Sequence, residues 1–269
     1  MESERMDDHD ALRAVATVRR RAAGRQRPLD WIGLWWAVFL GGYVTLFTVV
    51  LAADDPDIQV LNAIALPPII IAGALLEGAR ARSGIRRQER AGFFVAMAIA
   101  VAVVLVAIGV TMFGEPPWWW PVVTGPLIGL LMGALPAARL LRSRGERTVW
   151  GAETLSRTGA VASVALAGFL GFSAAAGAFG HPVITMVVLT IVVLVAVASL
   201  VASSSRWGLE SIGASWARRQ WIGFALTVLV LYGGALPVTA ASAHPLVAVA
   251  YGLAVAAPLA LSALPRRDR

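Results

Sequence analysis

What most constrains this chain is a series of eight apolar stretches, each about 20 residues long, the length that crosses a hydrocarbon core of roughly 30 Å. They run over residues 31–52, 58–78, 92–114, 117–138, 158–178, 182–203, 221–239 and 244–264. Charged side chains occur only near their ends, where Glu77 closes the second stretch beside Arg80. A charge at the centre of a span costs about 2.5–3.5 kcal/mol on insertion, so clean spans are what a bilayer selects. Composition agrees: 14% of residues are charged, against about 25% in soluble domains. No alternating pattern suggests a sheet. The expected fold is all-α, a polytopic transmembrane bundle of about eight spans arranged as four hairpins.

Residues 1–30 form a polar tail ahead of the bundle (31–264), and residues 265–269 form a second, short tail behind it. The first tail opens acidic, with Glu2, Glu4, Asp7, Asp8 and Asp10, and turns basic, with Arg19, Arg20, Arg21, Arg25 and Arg27. Leu12, Val15, Val18 and Ala22 between them share one helical face. That order of charge complements a helix dipole and predicts a short amphipathic helix on the inner leaflet, its arginines toward anionic headgroups. The tail lacks the apolar core and cleavage site of a secretory signal peptide.

The connections alternate in kind. Those at 53–57, 114–117, 179–182 and 241–245 are short, and carry no Arg. Those at 79–91, 139–157 and 204–220 are long and basic, and with the two tails they hold all 23 basic residues, every one an Arg. Asp54, Asp55, Asp57 and Glu115 lie on the other side. The positive-inside rule then places both termini in the cytoplasm. Trp31, Trp118, Trp119, Trp150, Trp207 and Trp221 fall at the expected interfaces. Residues 207–220 suggest a second interfacial helix, with Leu209, Ile212 and Trp216 on one face. Arginine without lysine, in an Ala-rich chain, points to a GC-rich bacterial genome and so to a bacterial cytoplasmic membrane.

Pro56, Pro117, Pro182 and Pro245 each open an even-numbered stretch, at spacings of 61, 65 and 63 residues. Proline suits a first helical turn because its missing N–H has no partner there anyway. The spacing fits four copies of a helical hairpin, and equally the plain length of two spans with their loops.

Small residues recur every four positions on two consecutive spans: Gly125, Gly129, Gly133 and Ala137, then Gly159, Ser163, Ala167, Gly171 and Ala175. A weaker row is Ala248, Gly252, Ala256 and Ala260. Such rows let helix backbones approach closely in lipid, within one bundle or between copies of a homo-oligomer.

Prolines also interrupt spans, at Pro67, Pro68, Pro126, Pro237 and Pro258. Pro67 and Pro68 free the carbonyls of Ala63 and Ile64, and transporters use such broken helices to bind substrate. Tyr43, Tyr232 and Tyr251 lie within spans rather than at interfaces, where a buried phenol needs a partner. Asn62, Thr124, Thr227 or a freed carbonyl can supply one. The substrate-pathway candidates are therefore Tyr43, Asn62, Pro67, Pro68, Thr124, Tyr232 and Tyr251, between the first, second, seventh and eighth spans.

Other chemistry finds little support. There is no Cys, and the spans hold no mid-depth His, Asp or Glu for catalysis, haem ligation or proton coupling. His181 and His244 each precede a Pro, and lack metal-motif spacing to the acidic loops. No Walker loop and no cofactor motif is present. The net charge of +7 reports orientation in a membrane, with no nucleic-acid module beside it. The expectation is a permease-type or accessory membrane subunit of a transport system without its own NTPase, partnered by a cytoplasmic ATPase or another membrane subunit. A non-transporting scaffold is the alternative, and a membrane-embedded enzyme a distant third.

Overall fold

The computed structural model describes residues 2–52, 58–83, 91–114, 117, 119–144, 148, 150, 155–201, 208–240 and 244–264. Among them every regular element is a helix: α1 (Glu2–Leu51), α2 (Ile58–Ser83), α3 (Ala91–Phe113), α4 (Trp120–Arg142), α5 (Arg157–Phe179), α6 (Pro182–Val201), α7 (Leu209–Ser215), α8 (Arg218–Ala240) and α9 (Pro245–Ala263). In lipid every backbone N–H and C=O must be satisfied internally, which is why apolar sequence of this length resolves into helices. Six of them contain segments long and apolar enough to cross a membrane, within α1, α2, α4, α5, α8 and α9. The chain thus has the build of a multi-pass membrane protein. The other two long helices, α3 and α6, span 23 and 20 residues without a charged side chain.

Helix ends follow local chemistry. Ser156 caps α5, its Oγ accepting from the Gly159 amide at 3.0 Å. Gly180 closes the same helix in the left-handed region, at φ 66°. Pro182 and Pro245 begin α6 and α9, whereas α4 begins at Trp120, with Pro121 rather than Pro117 in its first turn.

Two elements differ from the sequence expectation. The N-terminal surface helix and the first span are one continuous helix of 50 residues. Pro28 lies inside it, removing a single ladder bond without ending it. The expected interfacial helix over 207–220 is shorter: α7 covers Leu209–Ser215, and Trp216 follows in extended conformation. Leu209, Ile212 and Trp216 are buried, but against protein. Gly213 of α7 lies on the Leu75 backbone and Gly78 of α2 on that of Glu210, while Trp216 Nε1 donates to Ser163 Oγ at 2.8 Å.

The tightest helix pairs are not neighbours in sequence. α1 packs on α4 and α5 on α9, while α2 is the hub that touches α1, α5, α6, α7 and α8. Glycines set both pairs. A Cβ on Gly41 would lie 2.7 Å from the Gly125 carbonyl oxygen, and one on Gly171 would lie 2.5 Å from that of Gly252. Along α4, Gly133 rests on Leu34 and Ala37, Gly129 on Ala37 and Gly41, and Gly125 on Gly41 and Thr45, forming a continuous seam with α1. On α5, Gly159 meets Ser215, while Ser163 and Ala167 are fully buried. The main core gathers α1, α2, α5, α7, α8 and α9 around Ile64, Leu75, Leu170, Phe224, Val228 and Leu259.

Candidate functional site, the proline pair of the hub helix

The middle of α2 is where backbone polarity, rather than side-chain charge, is concentrated. Pro67 and Pro68 are buried inside α2, so the carbonyls of Ala63 and Ile64 lose their intrahelical donors. Ala63, Ile64 and Ala65 are fully buried, and orphaned carbonyls there would be costly in an apolar interior. Two neighbouring helices send donors. Ser173 Oγ of α5 donates to the Ala63 carbonyl, and Tyr232 OH of α8 donates to the Ala65 carbonyl at 3.0 Å.

α1 closes the cluster. Tyr43 OH donates to Asn62 Oδ1 at 3.0 Å, one residue before Ala63. The Tyr232 ring lies against Gly42, the neighbour of Tyr43, where an added Cβ would stand 3.0 Å from the ring. Phe47 flanks Tyr43, with ring centroids 5.9 Å apart. Tyr43, Asn62, Pro67, Pro68 and Tyr232 are thus brought together where α1, α2, α5 and α8 meet. The phenols are the only ionisable groups among these residues. Such a site offers hydroxyl, carboxamide and carbonyl groups to a neutral ligand, and no acid–base pair for bond cleavage.

Two candidates lie elsewhere. Tyr251 is a strut between α9 and α8, donating to the Leu231 carbonyl with its ring on Gly234. Thr124 donates to the Trp120 carbonyl of its own helix at 2.6 Å. It borders an apolar groove of about 300 Å³ between α3 and α4, lined also by Ile99, Val103, Val106 and Leu127. Thr227, another suggested phenol partner, bonds instead to the α9 backbone.

Two positions carry polar contacts that sequence reasoning passed over. Ser173 is a hydroxyl in an apolar helix. Asp30, one residue before the first expected span, is 5% exposed. It accepts from Gln26 Nε2 at 3.1 Å and faces Arg139 Nη1 of α4 at 3.6 Å. Its spacing from Gly33, Ala37 and Gly41 continues the α1 seam, which is the one signal that could have exposed it. Among the described residues no group of three or more His, Asp or Glu could hold a metal. His244 Nδ1 accepts from the Leu246 amide at 3.3 Å, capping α9. Asp54, Asp55, Asp57 and Glu115 lie outside the described residues.

Compared with protein-family models, with curated proteins and with solved structures, the chain finds no match in any of the three.

Proposed function

We propose that this chain is a non-enzymatic membrane subunit of a transport system, working with a separate energising protein, and that α2 at its proline break lines the substrate pathway. In this reading α1 to α6, α8 and α9 make eight crossings of a bacterial cytoplasmic membrane, with both termini inside. The carrying observation is the proline pair inside the hub helix, which frees the carbonyls of Ala63 and Ile64, with Ser173 of α5 bonding the first and Tyr232 of α8 bonding the neighbouring Ala65 carbonyl. Irregular backbone at membrane depth is tolerated where it is buried in protein or lines a cavity, and discontinuous helices are a recurrent way of building transport sites. With no carboxylate among the residues of the break, energy has to come from a partner, and a cytoplasmic ATPase is the class that fits.

A scaffold is the second reading. It is favoured by the pairing of Tyr43 with Asn62, and of Ser173 and Tyr232 with the backbone, which packs the cluster without a bound molecule. Affinity purification in mild detergent separates the two. Recovery with an ATPase supports transport. Recovery only with a different membrane complex supports the scaffold and ends the transport reading. The orientation has its own test, because the chain lacks Cys. A single Cys at Asp55 should react with an impermeant maleimide in intact cells and one at Arg86 should not. Equal labelling would overturn the topology.

A further inference from the structure

We propose that α1, α3 and α4 move as one body against the remaining helices, and that the Tyr43–Asn62 hydrogen bond is the latch between the two bodies. The transport reading supplies the purpose of this motion, but the motion can be measured without it. α3 and α4 pack on α1 and on each other, so α1 is the main link between this group and the hub.

The polar bonds are unevenly shared. The remaining helices are laced together through backbone acceptors. Besides Ser173 and Tyr232 on α2, Tyr251 binds the α8 backbone and Thr227 that of α9. Gln220 Nε2 donates to the Ser262 carbonyl at 2.9 Å, and Arg219 donates to the Leu261 carbonyl at 2.7 Å. Arg82 of α2 donates to the Ala214 carbonyl of α7. Bonds of this kind resist separation in an apolar medium, because each would leave an unpaired side-chain donor behind.

The α1 group is held together differently, by the glycine seam to α4 and by Asp30 beside Arg139. Toward the hub it offers mainly apolar surface, such as Phe39 edge-on to Phe224 at 6.2 Å, with Asp30 also in electrostatic reach of Arg80 on α2. Leu29 and Ile32 join the same core near the opposite end of the span. Apolar contacts slide without orphaning a polar group. Tyr43–Asn62 is a side-chain bond, so breaking it leaves both α-helical ladders intact. Tyr43 lies eight residues before the end of α1, and Asn62 four after the start of α2, so the latch sits toward the end of the bundle where these two helices connect.

Distances between nitroxide labels on introduced cysteines test this. Val122 on α4 and Leu246 on α9 are exposed near that end, one on each body. Phe179 on α5 with Leu246 is the control within one body. The wild-type Val122/Leu246 pair should show two populations separated by about 5 Å or more, the scale of one helical turn. The Phe179/Leu246 pair should show one. Tyr43→Phe should enrich the longer Val122/Leu246 population, and Asn62→Ala should do the same should Tyr43→Phe fail to fold. A single narrow Val122/Leu246 distribution, or a control pair equally broad, overturns the proposal. A fixed distance in protein recovered with an ATPase would remove the latch and spare the transport reading. Two populations in protein that binds no ATPase would do the reverse.

Discussion

Thr227 of α8 bonds the α9 backbone twice beside Pro258: its hydroxyl accepts from the Leu259 amide at 3.2 Å and donates to the Val255 carbonyl at 3.0 Å. Those two groups lie on the turn of α9 that contains Pro258, whose missing N–H leaves the Ala254 carbonyl without its intrahelical donor. The hydroxyl from α8 bonds the α9 backbone at this turn and joins the two helices.

Thr227→Val should therefore cost about 1 kcal/mol, in the usual range for hydrogen bonds between membrane helices. Thr227→Ser should be close to wild type. Unfolding in mixed micelles reads the difference. Equal stability of the Val and Ser variants would mean that the bridge contributes nothing.

The glycines give a sharper contrast on a single helix. Gly171 faces the Gly252 backbone at a distance no Cβ tolerates, and Ala256 lies behind it. Gly168, three residues earlier on α5, has open space around it. Gly171→Ala should cut the monodisperse yield in detergent, since overpacking at a fixed crossing costs about 1–3 kcal/mol. Gly168→Ala should fold normally, or gain up to about 1 kcal/mol from better helix propensity. Equal behaviour of the two variants would remove the crossing from the account of stability.

The four-residue spacing of small residues on α4 and α5 can be read directly in the sequence, as can the apolar face of Leu209, Ile212 and Trp216. What those faces meet cannot. A helix apolar on every side carries no mark of which side touches lipid and which touches protein, so the pairs α1·α4 and α5·α9 emerge only in three dimensions. Hydroxyls are ambiguous for a related reason. Thr48 and Ser163 donate to carbonyls four residues back in their own helices, whereas Ser173 and Thr227 reach across to others. Residue type and apolar context are alike in both groups. The continuity of α1 was hidden by its change of composition near residue 30, which marks a change of surroundings and not of backbone.

Ser173 and Pro67 should be coupled through the carbonyl of Ala63. Pro67 removes the intrahelical donor and Ser173 replaces it. Ser173→Ala alone should then lower stability by about 1 kcal/mol. In a Pro67→Ala background the restored amide can serve Ala63 itself, and the same substitution should cost much less. A double-mutant cycle measures that difference. Strict additivity would show that the hydroxyl does not compensate for the proline.

Asp30 and Arg139 should respond unequally to removal, because their surroundings differ. The Asp30 side chain is 6% exposed and that of Arg139 is 46% exposed. Arg139→Ala strands a carboxylate in the α1–α4 seam with Gln26 as its remaining neutral donor. That desolvation should cost about 1–3 kcal/mol. Asp30→Asn leaves a guanidinium that can turn toward water on its flexible stem, while the new carboxamide can still bond Gln26. The Asn variant should therefore melt nearer to wild type than the Arg139→Ala variant. Thermal scans in the same detergent decide the order, and a reversed order would mean that Arg139 is held by something other than Asp30.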